Sequence, residues 1–350
     1  MSLTLAVLKG DGIGPEISEA TLSVLAAASD RFGLGLSFED VPVGLAALAA
    51  AGSTYPAETA ARVEAAEGII LAPLDTYQYP EGQPNPSAQV RRTLDLYANI
   101  RPSVSRLPGA GRRLDLVIYR ENTEGFYSDR SMFAGSGEFM PTADLALSVR
   151  KITRQASERI ARAAFEAAAR RRGLVTAVHK ANVLRQSDGL FLDAVRTVAG
   201  EFPDVRLEEV IVDAMAALLV RDAARFDVVV TTNMYGDILS DEAGELAGGL
   251  GLAPALNAGD DHAVAQAVHG SAPDIAGRGI ANPVALILSA ALLLQRLGAR
   301  RGEPHLAEAA DAIDRAVTAA LADPANHTPD LGGRSTTSAF AAAVAAELAG

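Results

Sequence analysis

The stretch LTLAVLKGDGIGPEISEATLSVLAAASDRFG, Leu3 to Gly33, runs from a short apolar segment through a glycine-rich turn into an alanine-rich segment of helical periodicity. Leu3–Leu8 reads as a buried strand, Pro15 suits a first helical position, and Gly33 suits the helix end. Strand, tight turn and helix together form the repeating unit of parallel α/β sheets. Gly10, Gly12 and Gly14 invite comparison with the dinucleotide-binding fingerprint, but the third glycine comes too early and Pro15 holds its place. A turn beside a ligand and a plain turn both remain open here. A Rossmann pyrophosphate loop does not.

The same unit recurs along the chain. LSFEDVPV reads as a strand, AETAARVEAAEG as a helix closed by Gly68, and IILAPL as a buried strand. LDLVIYRE, LVTAVHKAN, EEVIVDA and FDVVVTTN follow as further strands, and two helices, about 305–322 and 337–349, close the chain. The alternation predicts an α/β fold with a largely parallel sheet. Ser128 to Pro141 is rich in Gly and Ser, breaks the rhythm, and reads as a turn or an arm between strands.

Composition narrows the function. A formal charge of −12 over 350 residues argues against nonspecific nucleic-acid binding. The absence of cysteine removes disulfides, thiolate metal sites and a cysteine nucleophile. With only five histidines, zinc is a poor fit. MSLTLAVLKG does not resemble a signal peptide, and VALILSAALLL (Val284–Leu294) is too short to span a bilayer. The expectation is a soluble cytoplasmic protein without membrane partners.

Several residues stand where chemistry could occur. Arg91 and Arg101, across a helix end and a following loop, and Arg120, at the end of an apolar strand, could clamp a polycarboxylate through bidentate guanidinium forks. Each has a plainer reading as a surface ion-pairing residue, and Arg120 has the least plain one, because an apolar strand leads straight into it. Lys180, after LVTAV, could act as a base if partly buried beside other cations, or could snorkel to solvent. Tyr127 could donate a proton or simply pack. Asp213 lies alone in the apolar run VIVDAMAALLV, and a buried carboxylate there would need a cation or several donors. In FDVVVTTNMYGDILSDEAGEL the pattern is strand, turn, helix, which places Asp237 in the first turn. A helix dipole explains an acid at Asp237, explains Asp241 less well and Glu245 hardly at all. Hard oxygen ligands one turn apart suit Mg²⁺ or Mn²⁺. VHGSAPDIAGRGIANP (Val268–Pro283) lacks periodicity and could wrap a ligand or be an ordinary loop; Asp274 within it could accept from a ribose hydroxyl.

Taken in order, GDGIGPE, LDLYANIRP, YRENTEGFYS, VHKANVLRQSDGLF, VDAMA, NMYGDILSD, HGSAPDIAGRGIANP and TPDLGG resemble the β-decarboxylating dehydrogenases, the family of isocitrate, 3-isopropylmalate and homoisocitrate dehydrogenases. The resemblance implies that family's own fold, two α/β domains rather than a Rossmann fold. A large domain would span 1–97 and 249–350, with the cofactor loops, and a central dimerisation domain would span 98–248. It implies NAD- and Mg²⁺- or Mn²⁺-dependent oxidative decarboxylation of a malate-type 2-hydroxy acid. Arg91, Arg101 and Arg120 would hold the substrate carboxylates. Lys180 would act in proton removal from the C2 hydroxyl, and Tyr127 would protonate the enol. Asp237 and Asp241 would bind the metal, with Asp213 reaching in from the partner subunit of a homodimer beside its Lys180. His269, Gly270, Ser271, Ala272, Asp274 and Asn282 would surround the adenosine half of the cofactor, with Thr76 toward the nicotinamide. An aspartate at 274 favours NAD over NADP.

Two departures bear on specificity. Gln266 stands where many members have Glu before the His-Gly pair, at a contact on the cofactor side. EGQPNPSAQVRR, the segment that reads the third substituent, carries Asn85, Ser87, Ala88 and Gln89 where isopropylmalate enzymes carry leucines. The polar pocket favours isocitrate or a polar analogue such as homoisocitrate, with 3-isopropylmalate as the alternative. A noncatalytic regulatory subunit would have lost the base, the acid or the metal aspartates, whereas Lys180, Tyr127, Asp237 and Asp241 are all present; a carboxylate-binding protein without chemistry would leave the metal face without a purpose.

Overall fold

The computed structural model describes residues 3–109, 113–127 and 137–349. The fold is α/β, as the alternation predicts. It divides into two compact units, Met1–Leu94 with Arg106–Ala110 and Gly248–Gly350, and Asp95–Ser105 with Gly111–Ala247.

The first unit begins with β1 (Leu3–Leu8), α1 (Gly14–Phe32), β2 (Leu36–Asp40), α2 (Gly44–Ala51), α3 (Ala57–Ala65), β3 (Gly68–Leu71) and α4 (Pro86–Thr93). The second unit holds β4 (Ala98–Val104), β5 (Asp115–Glu121), β6 (Glu138–Thr142), β7 (Leu145–Ser148), α5 (Arg154–Ala169), β8 (Leu174–His179), α6 (Ser187–Ala199), β9 (Arg206–Ile211), α7 (Val212–Asp222), β10 (Val228–Thr231) and α8 (Asn233–Ala247). The chain then returns to the first unit with β11 (Leu256–Ala258), β12 (Ala263–Ala265), α9 (Val284–Arg301), α10 (Pro304–Ala322) and α11 (Thr337–Ala349).

In the first unit the strand order is β2-β1-β3-β12-β11. β1 pairs in parallel with β2 and β3, and β12 pairs in parallel with β3 and antiparallel with β11. β1 is buried on both faces except at Thr4, which is why it reads as a continuous apolar run. α1 starts with Pro in its first turn and stops at Gly33, whose φ of 64° lets its N–H reach Ser29 O. The apolar run of α9 is accounted for by burial, since Val284 to Ala291 are all enclosed. No described helix is long and apolar enough to cross a membrane. Gly68 does not close α3; it opens β3, where Leu5 and Leu297 leave no room for a side chain.

In the second unit the order is β4-β5-β10-β8-β9, parallel except for β4 against β5. The period of two sorts side chains onto its faces. Val117 and Tyr119 of β5 join Val228 and Val230 of β10 under α5 and α6, with Ile160, Phe165 and Phe191. Leu116, Ile118 and Val229 face α7 and α8, with Met215, Leu219 and Leu239. Arg101 lies in β4 directly opposite Ile118, so it belongs to a strand and not to the loop expected for it. Of the Ser128–Pro141 segment, 128–136 lies outside the described residues. The part from Glu138 enters β6, which pairs antiparallel with β7 in a hairpin exposed along both strands.

Candidate active site

Strand register builds the first cluster. Arg120 shares the parity of Leu116 and Ile118, and the β4–β5 pairing sets Asn99 opposite Arg120 and Arg101 opposite Ile118. All three therefore point to the face covered by α8. α8 starts at Asn233, so Asp237 stands in its second turn and not its first. The helix dipole fades beyond the first turn and does not account for this acid. Two arginines do. Arg120 Nη1 pairs with Asp237, while its Nε and Nη2 donate to Asn233 Oδ1 at 2.9 and 2.7 Å. Arg101 Nη1 lies 3.2 Å from Asp237 Oδ1 and 3.1 Å from Asp241 Oδ1, and donates to Ser240 Oγ at 2.7 Å. Arg101 Nε donates to Asn99. Tyr127 OH donates to Asp237 Oδ2 at 3.2 Å, with its ring under the Arg120 guanidinium.

Gly236 makes this crossing possible. A Cβ there would sit 2.6 Å from Cβ and Cγ of Arg120. The arginines are almost enclosed, at 7% and 3% side-chain exposure, while Asp237 and Asp241 open to solvent at 34% and 49%. Burial pulls the Arg101 guanidinium below its ordinary value, opposed by the two aspartates. Burial also pushes the Asp241 carboxyl up; Arg101 opposes this and Asp237 adds to it. Two hard carboxylates one helical turn apart, one of them with its charge disfavoured and both reachable from solvent, fit a hard divalent cation. Glu245, a turn further along, is exposed.

Lys180 and Asp213 form a second group in the same unit. Lys180 follows β8, and its Nζ pairs directly with Asp213. The pairing holds the Asp213 carboxyl below its usual range. The buried setting expected for Asp213 is not found. Its side chain is 62% exposed, because the helix begins at Val212 and buries Met215 and Leu219, leaving Asp213 on another face. Among the described residues no three carboxylate or imidazole groups of one chain converge as a metal cage. Asp188 is fully buried and ties the group down: Arg150 pairs with it, and the Lys180 backbone N–H donates to it at 2.5 Å.

The first unit carries the remaining candidates in two places. On α4, Asn85 caps the helix by accepting from the Ala88 N–H at 3.2 Å. Ser87 and Arg91 both reach Gln266. Elsewhere a pocket of about 490 Å³ is lined by Ile13, Gly251, His269, Gly270, Ala272 and Asn282, among others. Nε2 of His269 is buried without a hydrogen-bond partner among the described residues, and burial lowers its pKa, so the ring is neutral near pH 7. An orphaned ring nitrogen at a pocket lined by glycine and small residues fits a polar ligand such as a nucleoside. Ser271 is buried beside the pocket and accepts from the Ile13 N–H at 2.9 Å. Asp274 and Thr76 are exposed and do not line it.

The glycine-rich turn now has a packing explanation. Gly12, at φ 58°, is so close to the 268–283 loop that a Cβ would lie 2.0 Å from Ser271 O. Its neighbour Ile13 lines the pocket, so the turn is a structural seat for the loop that also touches the pocket. Sequence reasoning missed Asn233, Asn99 and Ser240, which aim the arginines, and Asp330, whose Oδ2 accepts from Asn282 Nδ2 at 3.0 Å. Asn233 opens the NMYGDILSD motif and Asp330 falls inside TPDLGG, so position within a motif was the available signal.

Residues 4–344 match the family model described as isocitrate/isopropylmalate dehydrogenase. The chain is 45% identical to an isocitrate/homoisocitrate dehydrogenase of Thermus thermophilus, over 99% of both chains. It is 40% identical to a 3-isopropylmalate dehydrogenase of Sulfurisphaera tokodaii, over 96% of each. A crystal structure of isocitrate dehydrogenase from Methylococcus capsulatus superposes with a TM-score of 0.88 at 39% identity, covering 99% of both chains.

Proposed function

The chain belongs to the isocitrate/isopropylmalate dehydrogenase family, and on that premise we propose that it catalyses NAD- and Mg²⁺- or Mn²⁺-dependent oxidative decarboxylation of isocitrate or a close polar analogue such as homoisocitrate. The observation that carries this reading is the convergence of Arg101, Arg120, Tyr127, Asp237 and Asp241 on the α8 face. A cation held by Asp237 and Asp241 supplies Lewis-acid stabilisation of negative charge, and a bound nicotinamide supplies the hydride acceptor.

The protein's own groups do the rest. Arg101 and Arg120 hold substrate carboxylates in bidentate forks and fix orientation. Asn233, Asn99 and Ser240 aim those guanidinium groups. Lys180 Nζ takes part in removing the C2 hydroxyl proton, with Asp213 beside it. Tyr127 OH delivers a proton to the carbon that loses CO₂; its hydrogen bond to Asp237 shows that the phenol reaches the carboxylate face. Asn85, Ser87 and Arg91 on α4 read the third substituent, and their polarity favours hydrogen-bonding groups over an alkyl chain. His269, Gly270, Ser271, Ala272 and Asn282 take the adenosine half of NAD. Asp274 favours a free ribose hydroxyl over a phosphate by charge, and Thr76 lies toward the nicotinamide.

A homodimer completes the site on this reading, with Lys180 and Asp213 delivered as a unit from the second copy. Two observations support it. Lys180 and Asp213 pair with each other and not with Asp237 or Asp241. The β6–β7 hairpin exposes Phe139, Met140, Leu145 and Leu147 together, a patch that association would cover.

Steady-state assays with Mn²⁺ and NAD across isocitrate, homoisocitrate, isopropylmalate, malate and tartrate test the assignment. The expected result is the highest kcat/KM for isocitrate or homoisocitrate. Turnover confined to isopropylmalate, which the relative from Sulfurisphaera tokodaii keeps in view, would contradict the polar reading of α4.

A further inference from the structure

We propose that Gln266 is a positioning residue for the substrate-reading helix α4, and that it acts on the hydroxy acid and not on the cofactor. The inference rests on the placement of Arg91 and Ser87 under Proposed function.

The side chain is anchored at its root. Gln266 directly follows β12, and its backbone N–H donates to Ala255 O at 3.1 Å. Its amide oxygen is fixed from below by Asn257 of β11, whose Nδ2 donates to Oε1 at 3.2 Å. Asn257 is itself buried, at 1% exposure. Oε1 is therefore held at a set height beyond the end of β12 by one backbone and one side-chain contact.

Two α4 side chains are attached to that oxygen. Arg91 Nη2 donates to Oε1 at 3.1 Å, and Ser87 Oγ lies 3.4 Å from it. Nε2 of Gln266 is also 3.4 Å from Ser87 Oγ, so the hydroxyl can serve as donor or acceptor. α4 has only eight residues, opens at the Asn85 cap and buries Pro86 and Val90. A helix this short is not stable on propensity alone, so its tertiary ties set where its side chains point. Gln266 ties the two α4 positions expected to face the substrate, one turn apart.

The contact differs from the one expected of a residue just before the His269–Gly270 pair. Gln266 does not line the pocket that holds His269, Gly270 and Asn282. Its side chain meets Asn257, Ser87 and Arg91, and its backbone N–H meets Ala255 O. A glutamate at 266 would offer the same acceptor oxygen to Arg91, so what matters for positioning is a carbonyl or carboxylate oxygen at this reach.

The test measures isocitrate KM, NAD KM and kcat separately, with Mn²⁺, for the intact protein and for Gln266→Leu, Gln266→Glu and Arg91→Ala. Gln266→Leu keeps the volume and removes the acceptor. It should raise isocitrate KM by about tenfold, the scale of one hydrogen bond to a charged group, and leave NAD KM and kcat near their original values. Gln266→Glu should restore isocitrate KM, which a purely structural packing role would not do. If Gln266→Leu fails to fold, Gln266→Asn, with the amide one methylene short, should show the same KM pattern. A rise in NAD KM with isocitrate KM unchanged would overturn the proposal and return Gln266 to the cofactor side. An unchanged isocitrate KM in Gln266→Leu beside a raised one in Arg91→Ala would overturn this inference alone. An unchanged isocitrate KM in Arg91→Ala would overturn the placement of α4 and this inference with it.

Discussion

The second unit contains two arginine–aspartate clusters of similar composition and opposite character. Around Asp188 everything is closed. The carboxylate has no exposure, Arg150 is 8% exposed, and the remaining Arg150 donors go to Ser187 at 2.9 Å and Thr232 at 3.0 Å. Tyr235 and Phe126 lie against the guanidinium. On the α8 face the arginines are equally buried, but Asp237 and Asp241 open outward. A closed cluster can only hold structure, because nothing can enter it. An open one, with its two acids at the mouth, can exchange its arginine contacts for a cation and a substrate carboxylate.

The largest expected effect separates the two on stability. Asp188→Ala leaves Arg150 buried without its partner and frees the Lys180 N–H. It should cost about 3–5 kcal/mol in urea unfolding, whereas Asp241→Asn without metal should cost far less. Comparable losses in both would remove the distinction between closed and open clusters.

Metal linkage comes next. Because burial, with Asp237, raises the folded Asp241 pKa above its unfolded value, its favourable contribution is complete below the unfolded pKa and is lost as pH rises through the folded pKa. Near neutral pH the ionised carboxylate is therefore a cost that a cation offsets. Mn²⁺ at a hundredfold excess over its Kd should stabilise the protein by roughly 2.7 kcal/mol. That gain should shrink on acidification as protons compete. A gain of equal size at acid and neutral pH in thermal scans would place the cation elsewhere.

Gly236→Ala should be the next smaller effect. Alanine is the better helix former, yet its Cβ would meet Arg120. Overpacking of this kind costs about 1–3 kcal/mol, and the displaced guanidinium should raise substrate KM. A stabilised variant of unchanged KM would show that Arg120 has room to yield. Smallest of all, Glu245→Gln should change stability by no more than about 0.5 kcal/mol, since the residue lies exposed beyond the cluster.

The alternation of strands and helices was legible because parallel strands are apolar on both faces, as in β1 and β10. Arg120 was legible for the same reason, since an apolar strand runs straight into it. Arg101 was harder to place, because Pro102 follows it and makes β4 look like a loop. Asp213 misled because its apolar neighbours are buried on one helical face that it does not share. The clamp of Asn233 on Arg120 joins residues 113 positions apart, and the tie of Gln266 to Arg91 spans 175. Contacts of that range have no local pattern from which to be read.

The central claim is that Asp237 and Asp241, and not the acidic stripe as a whole, hold the divalent cation. Titration of Mn²⁺ into the protein with isocitrate present, followed by the paramagnetic signal of free Mn²⁺, tests it most directly when Asp241→Asn and Glu245→Gln are run beside the original chain. The account predicts affinity at least about tenfold weaker in Asp241→Asn, the scale of losing one charged ligand, and unchanged in Glu245→Gln. Equal weakening in both variants, or in neither, would contradict it.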